Sequence, residues 1–130
     1  MARIYTFRGR TLEQVQAMPM DEFLKLIPSR NRRSVHRMGM EYKALIKKVD
    51  RAKKSGREKA IRTTCREAVI LPSWVDMGFA VHNGKEFKEF RITPEMLGHR
   101  IGEYSFSTKR VQHSAPGIRA TRGSKFLAVK

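Results

Sequence analysis

The stretch Gly78–Ser105, GFAVHNGKEFKEFRITPEMLGHRIGEYS, restricts the fold more than any other part of the chain. Asn83-Gly84 signals a hairpin, because both residues tolerate the positive φ of a tight strand reversal. Phe79 and Val81 precede it on one side of an extended segment, and Phe90 and Ile92 follow on one side of another. A two-residue turn would set Val81 against Glu86 and Phe79 against Lys88, so the pattern demands a bulge or a longer loop near Lys85. A short helix comes next, with Thr93 as N-cap, Pro94 at its first position and Gly98 as its stop.

The flanking segments read as helices with basic faces. Thr11 and Gln14 are spaced as a capping box for a short helix with Leu12, Val15 and Met18 along one side, ended by Pro19. A second helix is expected from about Asp21, burying Phe23, Leu24 and Ile27 and closing before Pro28. Met40–Ser55 carries Tyr42, Leu45, Ile46 and Val49 at helical spacing, and Gly56 terminates it. The apolar run Ala68–Leu71 is expected as a first strand, closed by Pro72. The result is an α+β fold: a small antiparallel sheet of about three strands packed by helices, with a helical N-terminal extension and an extended basic C-terminal tail. The expected division is 1–38 for the extension, 39–104 for the core and 105–130 for the tail.

Charge sets the class of partner. Lys and Arg number 28 against 12 acids, a formal net charge of +16. Such an excess repels itself in a compact chain, and a polyanion relieves it. Ser29–Arg37 contains Arg30, Arg32, Arg33 and Arg37 with no acid between Phe23 and Met40. Arginine presents a planar fork of donors to anionic oxygens, so phosphate is the expected contact. A second basic segment holds Arg57, Lys59, Arg62 and Arg66. After Glu103 no acid occurs, while Lys109, Arg110, Arg119, Arg122, Lys125 and Lys130 do. That tail has too few apolar residues to fold alone. No apolar run is long enough to span a bilayer; a basic amphipathic helix could lie on an anionic surface, but nucleic acid is the first candidate and no membrane partner is expected. One cysteine, Cys65, allows no internal disulfide framework.

Catalytic and metal-binding patterns are missing. His36, His82, His99 and His113 share no ligand spacing, and no nucleophile elbow, Walker loop or HExxH motif occurs. Cys65 beside Arg66 reads as a structural cysteine, and Glu86 with Glu89 as a solvated face. Trp74 and the phenylalanines are core candidates that could also stack on bases. No enzyme activity, metal or cofactor is expected.

The residues Arg66, Pro72 and Val75, then Ala80-Val81-x-Asn83-Gly84-Lys85, then Thr93-x-x-Met96-x-Gly98-His99-Arg100-x-Gly102-Glu103-Tyr104 resemble the core of the S-nineteen family of small-subunit ribosomal proteins. The tail from His113 to Phe126 and the extension Thr11–Arg37 resemble its archaeal and eukaryotic branch. Asp76 stands where that family usually has glycine, Thr108 where arginine is common and Arg119 where glycine is common. The resemblance implies a cytoplasmic protein in the head of the small ribosomal subunit, bound to the 3′ major domain of the small-subunit ribosomal RNA. It implies a neighbour of the S-thirteen family, and a tail near the decoding region, its tRNA and large-subunit elements.

The expected RNA-binding residues are Arg30, Arg32, Arg33, Arg37, Arg62, Arg66, Asn83, Gly84, Lys85, Gly98, His99, Arg100, Lys109, Arg110, His113, Arg119, Arg122 and Lys125. Two other classes compete. A DNA-compacting module would use Ser29–Arg37 as a reading helix. An RNA-processing enzyme would turn on His99 and His113.

Overall fold

A computed structural model describes residues 5–56 and 59–109. A two-residue hairpin pair, β1 (Thr6–Phe7) and β2 (Arg10–Thr11), leads into α1 (Leu12–Ala17). The Thr11 amide donates to Gln14 Oε1 at 3.1 Å, one half of the expected capping box. Three more helices follow: α2 (Met20–Leu26), α3 (Ser29–His36) and α4 (Met40–Lys54). Each of α2 and α3 begins directly after a proline, whose fixed φ and missing N–H suit a helix start.

The three-stranded sheet has the order β3 (Ile61–Thr63), β4 (Gly78–His82), β5 (Phe87–Arg91). Strands β4 and β5 form the expected hairpin, with Phe79 opposite Phe90 and Val81 opposite Lys88. The extra loop length falls where the register required it, across Asn83–Glu86. Asn83 Oδ1 accepts the amides of Lys85 at 2.9 Å and Glu86 at 2.8 Å, and the Asn83 amide donates to the Glu86 carbonyl.

Two expectations about the sheet need correction. It is mixed rather than antiparallel, because β3 runs parallel to β4, with Ile61 opposite Phe79. The first strand is also Ile61–Thr63, not Ala68–Leu71. Residues 64–77 supply the long crossover that a parallel pair requires. Ala68–Leu71 instead pairs with the Gly98–Gly102 segment: Ile70 donates to the His99 carbonyl at 2.9 Å, and Ile101 to that of Ala68 at 2.9 Å. Its four side chains are buried, so its apolar character marks the core rather than a sheet strand. Thr93 and Pro94 do start a turn of helix, but a single 3₁₀ turn, Pro94–Met96, followed by Gly98 at φ +75°.

One core joins all these parts. Trp74 and Phe79 stack tilted at 5.4 Å, and Tyr42 meets the Trp74 ring edge-on at 6.3 Å. Trp74 is 1% exposed, so it packs the core and offers no face to a base. Val15, Phe23, Leu24 and Val35 from the N-terminal helices, and Ile27 just past the end of α2, are buried in the same cluster. Burying a side chain of that size stabilises by about 1.5–3 kcal/mol. The extension is therefore packed onto the core.

Candidate nucleic-acid interface

Helix α3 has a core side and a solvent side. Val35 is buried, while Asn31 and Ser34 face the Gly98–Tyr104 segment. Arg30, Arg33 and Arg37 recur at spacings of three and four, which stacks them on one face of a helix. All three are exposed, and no carboxylate lies within ion-pair distance of them among the described residues. Arg32 is half-buried beside them.

Arg66 and Arg100 behave differently. Arg66 donates to three backbone carbonyls: His82 at 2.7 Å, Gly102 at 3.0 Å and Ser105 at 2.5 Å. It thereby ties the end of β4 to the last 3₁₀ turn, Ile101–Tyr104. Arg100 pairs with Glu67 and donates to Asn31 Oδ1 and to Ser34 Oγ, each at 3.2 Å. Asn31 closes the link by donating to the Gly98 carbonyl at 2.7 Å. Asn31, Ser34 and Glu67 give no sign in the sequence of partners that lie 66 to 69 positions away for the first two and 33 for the third.

The Gly98–Glu103 block is built inward in the same manner. A Cβ on Gly98 would stand 2.9 Å from Ile27 Cγ2, and one on Gly102 2.9 Å from the Arg66 carbonyl. His99 Nδ1 lies 2.8 Å from Glu103 Oε2. The glycines thus admit the protein's own chain, and the histidine has a carboxylate partner four residues on.

The hairpin loop is rigid and open. Gly84 and Lys85 are exposed at its tip, and the Gly84 amide donates to His82 Nδ1 at 3.1 Å. Arg62, on the exposed side of β3, sets its guanidinium 5.6 Å from the centre of the Phe87 ring. Lys109 is exposed; Arg110, His113, Arg119, Arg122 and Lys125 lie outside the described residues.

Nothing in this geometry builds a reaction centre. Burial pushes the Cys65 thiol pKa up, the opposite of an activated thiolate. Among the described residues no group of three or more His, Cys, Asp or Glu is placed to hold a metal ion. No described helix is long and apolar enough to cross a membrane. Fold and surface together define a small, strongly basic α+β module that turns a row of arginines toward solvent.

The family model for Ribosomal protein S19 matches residues 33–113. Small ribosomal subunit protein uS19 of Saccharolobus solfataricus is 48% identical over 128 residues, covering 97% of this chain and 91% of that protein. Its counterpart from Metallosphaera sedula is 44% identical over 128 residues, with the same coverage. The chain belongs to the S19 family of small-subunit ribosomal proteins, in its archaeal branch. Its role is that of a structural constituent of the ribosome, not of an enzyme.

Proposed function

We propose that the protein binds the 3′ major domain of the small-subunit ribosomal RNA, in the head of the cytoplasmic subunit. The observation that carries this reading is the row Arg30, Arg33 and Arg37, exposed on a helix whose other side is packed into the core. Arginine forks pair bidentately with phosphate, and a rigid helix presents them at fixed spacing. Lys85 at the hairpin tip and Arg62 on the sheet extend the contact surface. Arg66 and Arg100 contribute by holding the segments that carry the others, since three of the five donors of each are already used within the chain.

The three-part division, 1–38, 39–104 and 105–130, describes how the protein works on RNA. The extension brings the arginine row, the core fixes it, and the tail neutralises further phosphates toward the decoding region and its tRNA. Ser105 is the tail's anchor: it is buried, its carbonyl accepts from Arg66, and its hydroxyl donates to the Val81 carbonyl at 3.2 Å. A protein of the S-thirteen family and large-subunit elements are the proposed neighbours.

Co-sedimentation with small subunits across a salt series tests the reading. Affinity for the ribosomal RNA should fall with salt, with a log–log slope of about −0.7 to −0.9 per phosphate neutralised. A slope near zero, or equal binding to duplex DNA at the same salt, would overturn it.

A further inference from the structure

A cavity of about 620 Å³ opens between α3, the start of α4 and the Cys65–Ala68 loop. Arg30, Arg33 and Arg37 stand at its exposed margin, and Cys65 and Ala68 form its buried wall. Met40 lines it while 87% exposed, a large apolar side chain left in water at the first position of α4. A second cavity of about 420 Å³ adjoins the first, since Glu41 and Cys65 line both. Phe87 and Arg62 also line it. The Phe87 ring is 40% exposed and already carries the Arg62 guanidinium near its face.

These walls fit an unpaired nucleotide better than a duplex. An A-form helix stacks its base faces internally and offers a convex row of phosphates. It satisfies the arginines but leaves Met40 and Phe87 facing water. It also sets its phosphates against Glu41, whose carboxylate has no ion-pair partner among the described residues. An extruded nucleotide matches all three features: phosphate on the arginines, base face on apolar and aromatic surface, base-edge N–H groups on the carboxylate.

We propose that the two neighbouring cavities hold a short unpaired stretch of RNA, with phosphates on Arg30, Arg33 and Arg37, one base against Met40 and Cys65, and a neighbouring base stacked on Phe87. This rests on the RNA-binding reading above and names the part of the RNA that is recognised. Loss of base stacking from an aromatic ring weakens binding by roughly five- to 150-fold.

The test uses the full chain bound to small-subunit ribosomal RNA, irradiated with short-wave ultraviolet light and digested for mass spectrometry. Nucleotide adducts are expected on the peptides holding Met40, Cys65 or Phe87. Affinity is measured in parallel for Phe87→Leu and Met40→Ala, both at exposed side chains. Phe87→Leu should bind at least fivefold more weakly with an unchanged salt slope, and Met40→Ala should weaken binding in the same direction. Unchanged affinity of both variants, with adducts only elsewhere, would overturn the proposal while leaving the RNA-binding reading intact. Protein–protein crosslinks at these residues in the intact subunit, without nucleotide adducts, would also overturn it. Failure of the unsubstituted chain to bind the RNA would overturn both readings.

Discussion

Two groups of arginines share this small protein, and their surroundings separate them. Arg66 and Arg100 lie between segments distant in sequence, and the backbone carbonyls or side chains around them accept their donors. Arg30 and Arg33 on α3, and Arg37 at its C-terminal cap, face solvent with no carboxylate in reach among the described residues. The side chain is the same, but one group is structural and the other is open to a partner. A charged donor satisfied at several carbonyls is worth most when it stays home, and an exposed fork has everything to gain from phosphate.

Substitution separates the two groups, and the largest effect belongs to the inward one. Arg66→Ala removes three charge-assisted hydrogen bonds, each worth about 1.5–3 kcal/mol. Because such losses are not additive, the expected destabilisation is about 3–5 kcal/mol in urea unfolding. Arg66→Lys should recover only part of that, since an ammonium cannot span three carbonyls as a guanidinium does. A change below about 1 kcal/mol would show that Arg66 does not hold the fold.

Gly98→Ala comes next. The new methyl group would crowd Ile27 in a left-handed backbone at φ +75°, so about 2–3 kcal/mol should be lost. RNA affinity measured on the folded fraction should be unchanged. Weaker RNA binding at full stability would instead make the glycine an RNA contact.

Asp76 is a non-glycine residue in the left-handed region. It sits at φ +66°, and its amide donates to the Ile92 carbonyl at 3.0 Å. Glycine adopts this left-handed geometry without steric cost, and aspartate is among the residues that tolerate it. Asp76→Gly should raise stability by up to about 1 kcal/mol, seen as a small rise in Tm. A fall would show that the carboxylate makes a contact of its own.

The smallest effect on stability, and the largest on binding, is expected from replacing Arg30, Arg33 and Arg37 together with glutamine. Unfolding should shift by no more than about 0.5 kcal/mol, as for other exposed positions. The log–log salt slope should become shallower by about 2 to 3. An unchanged slope would remove this face from the interface.

Much of the fold was legible because local chemistry wrote it. The Asn83–Glu86 loop, the Thr11 and Gln14 cap, the prolines before α2 and α3 and the stripe Tyr42, Leu45 and Val49 all act within a few residues. The misplaced strand shows the limit of that reading. Ala68–Leu71 has the composition of a sheet strand, yet its partner is Gly98–Gly102, while Ile61–Thr63 is too short to show a period and enters the sheet in parallel. The same limit applied to the site. The arginine row was visible as a charge pattern, but Asn31, Ser34 and Glu67 acquired roles only when Arg100 arrived beside them.

The order of residues alone decided the hairpin, the helix starts and stops, and the surplus of cations. Those depend on φ preferences, spacing and counting. Only the folded chain decided which cations are spent and which are free. That question turns on which carbonyls and carboxylates meet each guanidinium across long loops, and no local pattern encodes those meetings.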